Sequence, residues 1–274
     1  MVPVATVAEV FDSIQRVKSA ATDFGTNFFP VQKKLQAWID HQELFAENRG
    51  GAAFFFRKDR DFWHLYFCAG NATALARELT GLKEIKEAAL TADLVGNETS
   101  LAALIGALEG AGFRRYSHLQ RMARLAKAHA FGSSANEAEV VLATKRDAVG
   151  VLALLDASFD KYADQLPVLY EIEAAVEAGQ MLVVRAADEI AALMHFETQG
   201  VTSTVRFWAV AAAHQNRRLG SALMKRYFES QSAVKRFILW VVAENRNAVE
   251  KYQHYGYAAD GLIDHVLVNG LIRK

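Results

Sequence analysis

The 274-residue chain reads as a mixed α/β fold in two lobes, and three observations lead there. Short apolar runs pair around charged or polar turns, 52–56 with 62–67 and 181–186 with 190–196, which predicts hairpins. Two further apolar runs, 207–210 and 237–243, lead into segments of helical period, which predicts strand–turn–helix units. Between the halves the pattern weakens, and Gly132-Ser133-Ser134 is the best linker in the chain. It sets the expected boundary, with lobes 1–132 and 133–274.

In the first half, Val7, Val10, Phe11, Ile14 and Val17 recur at helical spacing, and Leu35, Trp38 and Ile39 mark a second helix. Gly50-Gly51 punctuates before the first strand pair, which turns at Arg57-Lys58-Asp59-Arg60-Asp61. Asn71 can cap a helix running to about Leu79. A strand is expected at 90–95, then a helix capped by Thr99 or Ser100 and ending at Gly110 or Gly112, then a strand over 114–122.

The second half restarts with a strand at 140–143. Thr144 and Asp147 stand three apart, close to a capping box, and open a helix through Leu155. A helix over about 164–178 stops at Gly179, and the 181–186/190–196 hairpin turns at Ala187-Asp188-Glu189. A strand at 202–210, a helix after Gln215, the 237–243 strand, a helix at 247–255 closed by Gly256 and two short strands complete the chain.

Hydrophobic residues make up 52% and charged residues 23%, a globular composition able to bury a sizeable core. The formal net charge is zero, so no global electrostatic attraction to nucleic acid or an anionic membrane exists, and neither partner is expected. Cys68 is the single cysteine, which excludes an intrachain disulfide and a thiolate zinc cluster; no metal is expected. Within Leu65-Tyr66-Phe67-Cys68 it reads as a strand-core residue. No apolar stretch approaches a membrane span, and the first residues lack a basic region followed by an apolar one, so a cytoplasmic protein is expected.

The stretch with most chemical content runs from Phe207 to Met224. After the strand comes Gln215-Asn216-Arg217-Arg218, then Leu219, Gly220 and Ser221 at the start of a helix. A helix N-terminus carries unpaired N–H groups and the positive end of the dipole, and two arginines and a glycine there suit a pyrophosphate. A solvated basic helix start has the same composition. The stretch resembles motif A of the GNAT superfamily of N-acyltransferases, V-x-P-x-x-[Q/R]-x-x-G-x-[G/A]. Val210 ends the strand, Gln215 takes the Q/R position and Gly220 the final small position, while Ala212 replaces the usual proline and Arg218 the central glycine. A frame shifted by two residues, through Arg217, Gly220 and Ala222, restores the glycine but spaces it less well from Val210.

The segment from Glu244 to Tyr257 resembles motif B of the same superfamily, N-x-x-A-x-x-x-Y-x-x-x-G-[F/Y], at Asn245, Ala248, Tyr252, Gly256 and Tyr257. The resemblance implies a central mixed, mostly antiparallel sheet flanked by helices. It also implies acetyl-CoA, or another short acyl-CoA, as co-substrate, held by Val210, Gln215, Asn216, Arg217, Arg218, Leu219, Gly220, Ser221, Asn245 and Tyr252. The two strands would splay at Val210 and Ala243 to admit the pantetheine arm, and Tyr252 would protonate the departing thiolate. Ala248, Tyr252 and Tyr255 share one helical face, so Tyr252 points inward, where it can also serve as a core aromatic.

An amine acceptor must lose a proton before attack, since a free alkylamine titrates near ~10. Glu197 is the candidate base, with His195 on the same strand face as runner-up; both also fit a sheet edge. The first half echoes the second: Leu94-Val95-Gly96-Asn97, a helix and Ala111-Gly112-Phe113 mirror the motif B region. It lacks any counterpart of Gln215 to Gly220, so it is read as a degenerate GNAT-like lobe without cofactor or as another α+β lobe. The expected function is acyl transfer from acyl-CoA to a small-molecule or peptide amine. A non-catalytic acyl-CoA-binding regulator and a two-lobed tRNA-dependent aminoacyl transferase are the alternatives. The tail from Asn269 to Lys274 either pairs across a homodimer or frays.

Overall fold

The computed structural model describes residues 1–126 and 138–273. They form two compact units, Met1–Leu119 with Gly261–Lys274, and Gln120–Asp260. The linker Gly132-Ser133-Ser134 lies outside the described residues.

The first unit contains β1 (Val2–Pro3), α1 (Val7–Ser19), β2 (Gly25–Thr26), α2 (Gln32–Asp40), β3 (Leu44–Arg49), β4 (Ala52–Asp59), β5 (Phe62–Ala69), α3 (Ala72–Leu79), the single turn α4 (Glu84–Glu87), β6 (Leu90–Gly96), α5 (Glu98–Gly110) and the first part of β7 (Phe113–Leu125). The second contains the rest of β7, β8 (Val141–Leu142), α6 (Ala148–Ser158), α7 (Leu169–Glu177), β9 (Met181–Ala186), β10 (Glu189–Gln199), β11 (Thr202–Val210), α8 (Leu219–Ser230), β12 (Arg236–Val242), α9 (Arg246–His254) and the start of β13 (Ala258–Asn269). The end of the chain is thus one long strand rather than two short ones. Gly261, at φ +88°, lies within it without ending it.

In the first unit the strands lie in the order β1-β3-β4-β5-β6-β13, antiparallel except for the β5–β6 pair. Alternation divides the core. Phe54, Phe56, Leu65 and Phe67 pack with α3 and α5, whereas Ala53, Phe55 and Cys68 pack with α1 and α2. Both faces are covered, which is why 52–56 reads as an unbroken apolar run. Cys68 is fully buried, as its strand context implied. The cap of α5 is Asn97, whose Oδ1 accepts the Ser100 N–H at 2.8 Å, so Thr99 and Ser100 lie inside the first turn. The tail does not fray: Ile272 is buried, and the Asn269 side chain accepts the Leu90 N–H at 3.1 Å and donates to the Ile85 carbonyl at 3.0 Å.

The parallel β5–β6 ladder is short, with Trp63 opposite Leu90 and His64 opposite Thr91. Past it the edge of β5 is taken by the chain itself. Gly25 pairs with Ala69 and Thr26 with Cys68, and the Asn27 carboxamide continues the pattern. Its Oδ1 accepts the Phe67 N–H at 2.7 Å and its Nδ2 donates to the Leu65 carbonyl at 3.0 Å.

The second unit repeats this element order. β8, β9, β10 and β11 are antiparallel neighbours, β12 pairs with β11 in parallel, and β7 follows β12. Thr144 and Asp147 form the expected capping box, the Thr144 N–H reaching Asp147 Oδ2 at 2.6 Å. Arg185 adds a two-point contact to the same carboxylate at 2.8 and 2.6 Å. The next helix starts at Leu169, later than the spacing predicts. Gln165 takes φ +47°, and Pro167 keeps its predecessor out of the helical region.

Candidate functional site

The β11–β12 ladder covers only Thr202 to Val205 against Arg236 to Leu239. Beyond it, residues 206–210 and 240–242 have no rungs with each other. The separation expected at Val210 therefore begins earlier. It starts at a bulge, where His195 faces Phe207 but Phe196 faces Val205, leaving Arg206 as the extra residue. A cleft of about 950 Å³ lies beside the open part of β11, bounded by Trp208 and Val210, the 215–221 turn and the inner face of α9.

The turn that forms one end of the cleft has a defined shape. A 3₁₀ turn over Ala212–His214 leads to Asn216 at φ +64° and to Arg218 at φ +58°, the N-cap of α8. The first helical bond is Ala222 N–H to the Arg218 carbonyl at 3.1 Å, which leaves the N–H groups of Leu219, Gly220 and Ser221 without helical partners. Arg218 thus occupies the left-handed backbone state that a glycine adopts freely, at a cost of about 1 kcal/mol. Gly220 is also held small by packing: a Cβ there would stand 3.0 Å from Trp208 Cζ2. The glycine lets the indole lie against the helix start.

Val210, Gln215, Asn216, Arg218, Gly220 and Ser221 all border the cleft, as do Asn245 and Tyr252. Leu219 borders it as well but buries its side chain in the core. Arg217 does not line it; its guanidinium meets His214 Nδ1 at 2.8 Å. Asn245 is the N-cap of α9, its Oδ1 accepting the Ala248 N–H at 3.1 Å. Trp208 Nε1 is a buried donor without a partner on the cleft wall.

Tyr252 packs beside Trp208 with ring centroids 5.6 Å apart. Burial raises the pKa of its phenol well above the ordinary tyrosine value, and the charge of Asp164 adds to the effect. Asp164 lies between α6 and α7, its Oδ2 accepting the Asp160 N–H at 2.9 Å. Burial pushes this carboxyl up to about 6, opposed by the Asp160 N–H bond and assisted by the Asp160 charge, with Arg206 drawing it down.

Glu197 and His195 flank the bulge on β10, Glu197 toward the paired ladder and His195 opposite Phe207, and neither lines the cleft. Glu197 is 38% exposed, with Oε1 4.0 Å from Arg206 Nε. His195 is buried and stacks on Phe207 at 6.0 Å. In the first unit a second polar group, Asp59–His64–Thr91, is joined by contacts of 3.0 and 2.9 Å. These residues are at most 1% exposed, so they form a satisfied core network. Among the described residues no cluster of three or more His, Cys, Asp or Glu side chains could hold a metal ion, and no helix is long and apolar enough to cross a membrane.

Residues 148–257 match the model of the acetyltransferase (GNAT) family. No curated protein matches the chain. Among solved structures, a tandem GNAT protein from the clavulanic acid biosynthesis pathway aligns over 100% of this chain and 98% of its own, at 12% identity and a TM-score of 0.62. A GCN5-related N-acetyltransferase from Sphaerobacter thermophilus aligns over 80% of this chain and 76% of its own, at 15% identity and a TM-score of 0.60. Another, from Kribbella flavida, aligns over 94% and 95%, at 14% identity and a TM-score of 0.56. The chain has the fold of the GNAT acyltransferase superfamily, in two tandem lobes.

Proposed function

We propose that the second unit binds acetyl-CoA, or another short acyl-CoA, in this cleft and transfers the acyl group directly to an amine. The observation that supports this most is the end of the β11–β12 ladder at Val205, beside a cleft that leads to the bare N-terminus of α8. The free N–H groups of Leu219 to Ser221, with Arg218, Asn216 and Gln215, suit a pyrophosphate. Arg217 sits at the rim as added charge. The unpaired edge of β11 offers bonds to the pantetheine amides, just as β5 offers them to β2 and Asn27 in the first unit. Trp208 Nε1 is a further donor awaiting an acceptor.

In this reading the thioester carbonyl comes to the open β11 edge, where a backbone N–H polarises it. Tyr252 faces the departing sulfur. A thiol titrates near ~8.5, far below a tyrosine raised by burial, so Tyr252 stabilises the thiolate by donating a hydrogen bond rather than by giving up its proton. The amine, from a small molecule or a peptide, arrives from the α6–α7 side of β11, where Glu197 is one carboxylate near Arg206. The reaction is placed in the cytoplasm, where acyl-CoA is made and used.

Calorimetric titration of acetyl-CoA into the wild type and a Gly220→Glu variant tests the donor site. Micromolar binding, lost in the variant, is the expected result; no binding by folded wild type would reject it. Binding without release of coenzyme A across an amine screen would leave the non-catalytic alternative.

A further inference from the structure

We infer that Trp208 is a phosphate-binding residue of the donor site, its indole N–H completing the anion cradle at the start of α8. The inference rests on the donor-site reading and adds to it a side-chain ligand from the neighbouring strand. Three observations carry it.

The first is where the ring lies. Along β11, Phe207 and Ala209 pack under α6 and α7, and alternation turns Trp208 and Val210 to the opposite face, against α8 and α9. There the edge of the indole that carries the nitrogen is the edge laid on the helix. A Cβ built on Gly220 would stand 3.0 Å from Cζ2, 3.3 Å from Cε2 and 3.4 Å from Nε1. The nitrogen therefore sits beside the same first turn whose Leu219, Gly220 and Ser221 N–H groups have no helical partners.

The second is that this donor is unused. Nε1 is shut from solvent and has no acceptor among the described residues, although Trp208 borders the cleft. Buried donors are nearly always paired, because leaving one without an acceptor is destabilising. Two rings frame the indole, Tyr252 with its centroid at 5.6 Å and Tyr255 edge-on at 5.8 Å. Tyr255 Oη in turn donates to Ser221 Oγ at 3.0 Å, so tyrosine, serine and indole close one corner of the cleft. A ligand that takes the place of the Tyr255–Ser221 bond opens the way to Nε1.

The third is the company the nitrogen keeps. An indole N–H is a donor only, so it can serve a carbonyl or an anion and never a cation. Gln215, Asn216 and Arg218 border the cleft beside the bare helix start, a setting that selects the anion. A pyrophosphate diester offers more acceptor oxygens than the free N–H groups of one helical turn can meet. Arg217 does not line the cleft, its guanidinium meeting His214 Nδ1 at 2.8 Å, which leaves room for a further donor. Gly220 and Trp208 then form a matched pair, the bare α-carbon being what lets the nitrogen reach the turn.

The test follows the indole N–H resonances of the four tryptophans of the wild type by nitrogen-15 NMR. Three probes are added separately: acetyl-CoA, ADP, which has the pyrophosphate without the arm, and S-acetylpantetheine, which has the arm without phosphate. The Trp208 resonance is assigned by elimination with Trp38→Phe, Trp63→Phe and Trp240→Phe. It is expected to move downfield with acetyl-CoA and ADP and to stay in place with S-acetylpantetheine. In calorimetry, Trp208→Phe is expected to bind acetyl-CoA and ADP roughly tenfold more weakly and S-acetylpantetheine as the wild type does. Gly220→Ala, which pushes the ring off the turn, should weaken ADP as well, and the double variant should lose less than the sum of the two. A shift with S-acetylpantetheine but not ADP would give Nε1 to the arm and overturn the assignment. Wild-type affinities in a folded Trp208→Phe would overturn it too, leaving the indole a core ring. A wild type that binds none of the three probes would reject the donor-site reading itself, a failure distinct from bound ADP that leaves the Trp208 resonance unmoved.

Discussion

Tyr255 Oη donates to Ser221 Oγ at 3.0 Å, tying the end of α9 to the first turn of α8 across the cleft. The ring also stands edge-on to Trp208, with centroids 5.8 Å apart. A donor seated between these helices must displace this bond, which is worth roughly 0.5–1.5 kcal/mol. Tyr255→Phe is therefore expected to tighten acetyl-CoA binding by up to about tenfold and to speed association in stopped-flow measurements. Weaker binding would instead make Tyr255 a direct contact of the donor.

Arg218 carries two separable properties, charge in the cleft and a left-handed backbone. Replacement by alanine removes the charge and keeps the strain, whereas glycine removes both. Arg218→Gly is expected to be more stable than Arg218→Ala by about 1 kcal/mol in chemical denaturation. Both should bind acetyl-CoA more weakly than wild type. Equal stability of the two variants would mean that the turn relaxes out of φ +58°.

The first unit fills with its own chain the edge that the second leaves open. One acetyl-CoA per chain is the expected calorimetric stoichiometry, and a value of two would contradict a filled first-unit edge. Asn27→Ala leaves the Phe67 N–H and the Leu65 carbonyl without their partners, at an expected cost of about 1–3 kcal/mol. Its effect should fall on stability, leaving acetyl-CoA affinity unchanged.

Asp147 supplies the pH dependence. The Arg185 guanidinium beside it, with the Thr144 N–H and hydroxyl, holds its carboxyl well below the usual carboxylate range despite burial. The folded pKa therefore lies below the unfolded value of ~3.9, so the stabilisation is complete above that value, begins to fall as pH drops below it and is lost only as pH passes through the lower folded value. Asp147→Asn is expected to cost about 2 kcal/mol at pH 7, with the gap to wild type closing in acid. Urea unfolding at pH 7 and pH 3 checks this; an equal gap at both would show that packing, not charge, is lost.

Much of the site was legible because it is local. The strand end at Val210 and the turn through Arg218 are set by neighbours within a few residues, and spacing alone put them in order. The capping box at Thr144 and Asp147 and the cap at Asn71 were legible on the same ground. Strand β3 escaped, because Glu47, Asn48 and Arg49 hide its pattern behind polar side chains.

The sequence by itself determined most of the element order of the second lobe, the donor-rich turn and the superfamily resemblance, since hydrophobic period, capping and turn chemistry act over one or two helical turns. Only the tertiary structure decided where the β11 ladder ends, what fills the edge of β5, and which unit takes residues 261–274. Each of these joins residues far apart in the chain. Such pairings are selected by the summed packing of whole strands and loops, and no local spacing encodes them.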